Sequence, residues 1–197
     1  MGVSQSLQEV GELYSQNLAR NGAVSQAVGW NSPETQEVRF RELTKVVDKA
    51  TGPFSVNDYG CGYGAHLEHL IVRGMTVSEY NGYDISAPML AATRERQSNF
   101  AGALNLFQSN EISTEADFTF VSGTFNVRFK ADDAEWSEHI LSCLDHINQH
   151  SRRGFSFNLL STYVDWKEPH LFYGDPRFFF DHCKAKYSRF VTLIHDY

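Results

Sequence analysis

The sequence predicts a single α/β domain, a doubly wound and mainly parallel sheet with helices on both faces. Three observations lead there. From residue 54 onward, short β-type runs alternate with segments of helical periodicity, the order that builds a parallel sheet through crossover helices. The run Phe54 to Asp58 feeds a glycine-rich turn, Gly60-Cys61-Gly62-Tyr63-Gly64, and the turn opens a helix whose Leu67, Leu70 and Ile71 stand three and four apart. The stretch Gly154 to Thr162 is apolar enough for a strand covered on both faces. The 197 residues suit one domain with a sizeable core.

Composition narrows the function. Lys plus Arg number 17 against 24 Asp plus Glu, a net charge of −7, which argues against a phosphate-backbone partner. The close basic pairs, Arg94-Glu95-Arg96 and Arg152-Arg153, read as solvated surface. Cys61, Cys143 and Cys183 are odd in number and widely spaced, with no metal-type Cys-x-x-Cys and no disulfide framework. No apolar run approaches the roughly 20 residues that span a bilayer, and no basic-then-apolar leader opens the chain. The expected setting is the cytoplasm, and the expected partner is a small molecule, neither nucleic acid nor membrane. Oligomeric state is not legible.

Residues 1–50 read as a helical cap on a core of 51–197. In 1–24, Val10, Leu13, Tyr14 and Leu18 suit one amphipathic helix. It either packs on the domain as a plain terminal helix or forms a lid with Tyr14 reaching the site. Ser32 caps a second helix with Pro33 at its first position. Thr35 stands where a capping box carries Glu or Gln, so no box is expected. Phe40, Leu43, Val47 and Ala50, with Val46 alongside, form its apolar face. Trp30 either plugs the core edge or walls a pocket.

The glycine turn is where chemistry concentrates. Glycine takes positive φ and lets backbone approach a ligand, and the free N–H groups of the next helix face the same space. Gly60, Gly62 and Ala65 satisfy the dinucleotide pattern, with Asp84 near the expected acidic position. Yet Asp58 lies two residues before the first glycine and Gly64 adds a third, giving Asp-x-Gly-x-Gly-x-Gly. This resembles the first motif of the class I S-adenosylmethionine-dependent methyltransferases, on a Rossmann-like fold, in which the acid faces the methionine part of the cofactor. Tyr80 to Asp84 reads as a second strand ending in an acid that can accept both ribose hydroxyls. The string Asp84-Ile85-Ser86 through Met89-Leu90 resembles the corresponding segment of these methyltransferases, and Gly29-Trp30-Asn31-Ser32, Ser122-Gly123-Thr124-Phe125-Asn126-Val127 and Ser161-Thr162-Tyr163-Val164-Asp165 resemble a bacterial group of small single-domain members, mostly without assigned substrate.

That resemblance implies a cofactor site of Asp58, Gly60, Cys61, Gly62, Gly64, Asp84, Ile85, Ser122 and Gly123. It places Asn110 and Glu111, in the turn after the strand 104–108, beside the adenine. The cofactor implied is S-adenosylmethionine, with S-adenosylhomocysteine as product and no metal. Asn126 either orients a substrate or bonds its own backbone. A helix is expected over 133–149, with Trp136, Ile140, Leu141, Leu144 and Ile147 inward. The loop Tyr163 to Pro176 gathers acids, aromatics and a histidine. His170 is the candidate general base, with Tyr163 as a catalytic alternative and Asp165 and Tyr173 as substrate contacts alongside Tyr14, Trp30 and Asn126. His66 with His69, and His146 with His150, read as helix surface. Arg189 to His195 reads as a sixth strand, and the final antiparallel edge strand of the family has no counterpart before Tyr197.

The expected activity is methyl transfer to oxygen or nitrogen of a small acceptor. Two alternatives stand beside it, a non-catalytic binder of S-adenosylmethionine or S-adenosylhomocysteine, and a nicotinamide-dependent oxidoreductase.

Overall fold

The computed structural model describes residues 2–47 and 51–197. Five strands run parallel in the order β3-β2-β1-β4-β5: β1 (Phe54–Tyr59), β2 (Val77–Asp84), β3 (Ala103–Gln108), β4 (Ala116–Val121) and β5 (Ser151–Phe157). The order reverses between β1 and β4, and that switch point opens a crevice at the carboxyl ends of the strands.

Two layers of helices cover the sheet. On one face, α3 (Ala65–Val72) and α2 (Pro33–Thr44) bury Leu67, Leu70 and Leu43 against Phe54, Val56, Phe118 and Phe120. On the other, α5 (Asp133–Gln149) lays Trp136, Ile140, Leu144 and Ile147 over Val121 and Tyr83. Each of those side chains is almost fully buried, worth about 1.5–3 kcal/mol apiece. The spacing that predicts α5 is met at both ends, and Asp132 caps it by accepting from the Ala134 N–H at 2.8 Å. The helix α4 (Ala87–Arg96) starts at the Ser86 cap, and α1 (Val3–Asn21) lies across the top of the crevice, touching α4 and α5. Ala50, expected on the α2 face, lies outside the described residues.

Four expectations are corrected. The capping box on α2 exists, because the Thr35 hydroxyl accepts from the Ser32 N–H while Ser32 accepts from the Thr35 N–H. A short hydroxyl here does the work of a Glu carboxylate. The fifth strand ends at Phe157, and Leu160–Ser161 (β6) instead pairs with Tyr173–Gly174 (β7) in a separate two-stranded ribbon. No strand forms over 189–195. After α6 (Pro176–Lys186), the chain folds back so that His195 Nε2 bonds the Ser161 hydroxyl at 2.8 Å and the Tyr197 ring faces Arg39. The segment therefore leaves the β5 edge of the sheet unpaired by it and stays irregular despite its β-propensity. Finally, His66 and His69 are 2% and 5% exposed rather than on the surface, since α3 is covered by both the sheet and α2. His146 and His150 are half-buried, and His146 Nε2 reaches the Ile112 carbonyl at 2.7 Å.

Candidate functional site: two chambers around a glycine turn

The crevice holds a cleft of about 710 Å³, the open space at its mouth included, whose floor is the ends of β1, β2 and β4, at Gly60, Asp84 and Ser122. Its roof is α1, through Leu7, Val10 and Tyr14, three residues on one helix face. Ser15 Oγ is hydrogen-bonded to Ser86 Oγ at 2.8 Å, which pins α1 to the start of α4. Asp84 sits at the centre. One of its oxygens accepts from the Gly62 N–H at 2.9 Å and the other from the Ser86 N–H at 2.8 Å. A carboxylate has about four acceptor positions, so each oxygen keeps one for a ligand. Burial pushes the Asp84 carboxyl above its ordinary range, and these backbone donors pull the other way. Tyr14 above it is pushed up to about 12, by burial first and then by the Asp84 charge, so it remains a neutral hydrogen-bond donor.

The turn is held by its neighbours. Gly60 and Gly64 take φ of 80° and 78°. A Cβ on Gly60 would fall 2.2 Å from Thr124 Oγ1, and one on Gly64 would fall 2.8 Å from Thr93 Cγ2. Those threonines are anchors. Thr124 donates to the Tyr59 carbonyl at 2.8 Å and Thr93 to the Gly62 carbonyl at 2.7 Å.

Beyond the turn lies a second chamber of about 320 Å³ that shares Val28, Gly60, Gly62 and Ser122 with the cleft. Asp58 lines it and accepts from Tyr80 Oη at 2.6 Å. Burial raises the Asp58 carboxyl to about 7, against the pull of that hydrogen bond. His66 also lines it, stacked on Phe40 with centroids 4.5 Å apart and planes within 5°. Burial lowers His66 to about 3, with His69 adding to the effect, so the ring is neutral. Its Nε2 lies 3.3 Å from Thr44 Oγ1, whereas Nδ1 is buried without a partner among the described residues, as is Ser122 Oγ.

Most of the expected site residues converge here. Gly60, Gly62, Asp84, Ile85, Asn110, Ser122, Gly123 and Tyr14 line the cleft, and Asp58, Cys61 and Trp30 line the second chamber. Gly64 completes the turn without lining either. Trp30 packs on Gly123, whose added Cβ would meet the indole at 2.9 Å. Glu111 is exposed, and its N–H donates to Ser109 Oγ at 2.9 Å. Asn126 is buried and accepts from the Leu160 N–H at 3.3 Å, tying two loops together. The structure does not bring His170, Tyr163 or Asp165 to the chambers. All three are exposed, because the His170 carbonyl is held outside by the Arg128 and Phe129 N–H groups, both at 3.0 Å. Tyr173 is half-buried and accepts from the Glu168 N–H.

Sequence reasoning missed Thr124, His66 and Gln36, which lines the second chamber and accepts from Tyr63 Oη at 2.8 Å. Thr124 and Gln36 carry no motif of their own. His66 had a signal, since it lies one position before Leu67 on a helix of only eight residues with apolar groups on several sides.

No family model matches the chain. Rv1506c of Mycobacterium tuberculosis, a provisionally named methyltransferase, is 47% identical over 150 residues, covering 75% of this chain and 89% of its own. Among solved structures, magnesium protoporphyrin IX methyltransferase from Synechocystis with bound S-adenosylmethionine shares the fold at TM-score 0.56 and 14% identity, over 77% of this chain and 67% of its own. Phosphoethanolamine N-methyltransferase 1 from Haemonchus contortus does so at 0.60 and 11%, over 94% of this chain and 41% of its own. TehB from Haemophilus influenzae matches at 0.53 and 18%, over 71% of this chain and 49% of its own. With that relative in sequence, the glycine turn between two strand-end acids and this sheet, the chain belongs to the class I S-adenosylmethionine-dependent methyltransferases.

Proposed function

We propose that this methyltransferase uses S-adenosylmethionine, releases S-adenosylhomocysteine and methylates oxygen or nitrogen of a small-molecule acceptor. The observation that carries the reading is the pair of unequal chambers joined at Gly60, Gly62 and Ser122. A ligand with a nucleoside at one end and an amino acid at the other suits that shape. The polar groups fit as well. Asp84 keeps one acceptor position on each oxygen for two ribose hydroxyls, and Ser122 Oγ, at the junction, is buried without a partner among the described residues. When bound, the cofactor would supply an electrophilic sulfonium methyl, open to in-line attack by the acceptor atom with the thioether sulfur as leaving group.

The chain's own contribution is placement, which serves such a displacement well. Asn110 borders the adenine end, Asp58 faces the amino-acid end, and α1 excludes water through Leu7, Val10 and Tyr14. With His170 and Tyr163 outside both chambers, the reading assigns no general base. A net charge of −7 favours a small acceptor over a nucleic-acid backbone. Among the described residues, no helix is long and apolar enough to cross a membrane. The nicotinamide alternative is set aside, since the sequence relative is named a methyltransferase.

Titration calorimetry tests this. S-adenosylhomocysteine is expected to bind at micromolar concentration and NAD not at all. Asp84→Asn should weaken S-adenosylhomocysteine about 100-fold, since one carboxylate acceptor becomes an N–H donor and the other becomes a neutral amide oxygen. Unchanged affinity in that variant removes Asp84 from the ribose, and binding of NAD alone overturns the whole reading.

A further inference from the structure

We propose that His66, with Ser122, holds the α-amino-acid end of the cofactor in the smaller chamber, through His66 Nδ1 and Ser122 Oγ. The assignment rests on S-adenosylmethionine being the ligand of the joined chambers.

Buried polar atoms are almost always hydrogen-bonded, and each orphan calls for a partner. Here two orphans line one small space, His66 Nδ1 and Ser122 Oγ. The His66 ring is not free to turn away. Phe40 stacks on one side, Phe120 meets it edge-on at 4.5 Å, and Thr44 Oγ1 bonds Nε2. Whichever ring nitrogen carries the proton, Nδ1 has one hydrogen bond to give or to take. An α-amino acid offers both an ammonium and a carboxylate. The charged surroundings match the same group. Asp58 lines the chamber, and so does Trp30, whose ring centroid lies 4.5 Å from the Arg39 guanidinium. Because burial holds His66 neutral, it acts as a hydrogen-bonding group and not as a counter-ion. His66 is therefore a positioning residue for the amino-acid end.

The test compares two ligands that differ in that end, S-adenosylhomocysteine and 5′-methylthioadenosine, which has no amino-acid group. His66→Phe keeps a flat ring on Phe40 and removes Nδ1. It is expected to weaken S-adenosylhomocysteine about tenfold while leaving 5′-methylthioadenosine within about twofold, as suits one lost hydrogen bond. His66→Asn, whose side-chain nitrogen falls near the Nδ1 position, should recover most of the loss. Equal weakening of both ligands, or no change in either, overturns the assignment. If His66→Phe fails to fold, Ser122→Ala carries the same comparison with the same outcomes. A wild-type chain that binds neither ligand overturns the cofactor reading, and this assignment with it. A wild-type chain that binds both equally tightly overturns this assignment alone.

Discussion

The glycine turn and the loops beyond β5 are built on opposite plans. Around the turn, side chains from distant elements bond the backbone: Asp84 takes the Gly62 N–H, Thr93 and Gln97 donate to the Gly62 and Gly64 carbonyls, and Thr124 donates to that of Tyr59. Beyond β5, the tip of the loop, Tyr163 to Glu168, is tied by short-range links, while its two ends are anchored at a distance, the His170 carbonyl by the Arg128 and Phe129 N–H groups and the Ser161 hydroxyl by His195. The Tyr163 N–H bonds Ser161 and the Glu168 N–H bonds Tyr173, while Trp166 and Phe190 stand 73% and 80% exposed. The contrast teaches that the cofactor half is preorganised throughout by side chains from distant elements, whereas the aromatic loop is anchored at its ends and leaves its tip to local links. Residues that look chemically loaded in a string are not thereby brought to a site.

The sharpest way to break this contrast is to disturb the turn. Gly60→Val combines a β-branched residue at φ 80° with a Cβ 2.2 Å from Thr124 Oγ1. A loss of about 3–5 kcal/mol in urea unfolding is expected, from backbone strain plus overpacking. A loss below about 1 kcal/mol would mean that the turn yields and is not locked.

Asp58 gives a second, pH-dependent handle. Its folded value of about 7 exceeds the ordinary 3.8. Between these values the folded chain holds the proton and the unfolded chain has lost it. Stability from this group is thus full at low pH and falls as pH rises towards 7, by roughly 1.4 kcal/mol per unit. Asp58→Asn should remove that slope, measured as unfolding free energy at about pH 4.5 and about pH 7. A variant with the same slope as the parent places the titration elsewhere.

The smallest effect is expected on the loop. His170→Ala should change stability by less than about 0.5 kcal/mol and leave S-adenosylhomocysteine affinity within about twofold. Methyl transfer lost with binding intact would show that the loop reaches the chambers during turnover, and the two regions would then work as one site.

Legibility followed the same divide. The strand-turn-helix of residues 54–72 and the acid at Asp84 are local patterns, since the spacing of glycines and acids dictates where backbone and carboxylate end up. The period of α5 is equally local, and its bounds agree with expectation. By contrast, Thr35 was misjudged because a capping box depends on hydroxyl geometry and not on residue type alone. His66 and His69 were misplaced because α3 is covered twice, by the sheet and by α2, and the sequence of one helix does not show what packs on its far side. Arg189 to His195 has strand-like residues, yet the tail turns to Ser161 and Arg39 and does not pair with the edge at β5, a choice made by contacts far away in the chain.

By itself, then, the sequence determined the alternation of elements, the cradle and the acids that flank it, because these follow from backbone conformations and periods of a few residues. Only the tertiary structure decided that α1 roofs the cleft, that the chamber beyond the turn contains a neutral histidine with an unpartnered nitrogen, and that the aromatic loop stays outside. Those outcomes depend on contacts between segments far apart in the chain, where burial removes water and makes each missing partner count.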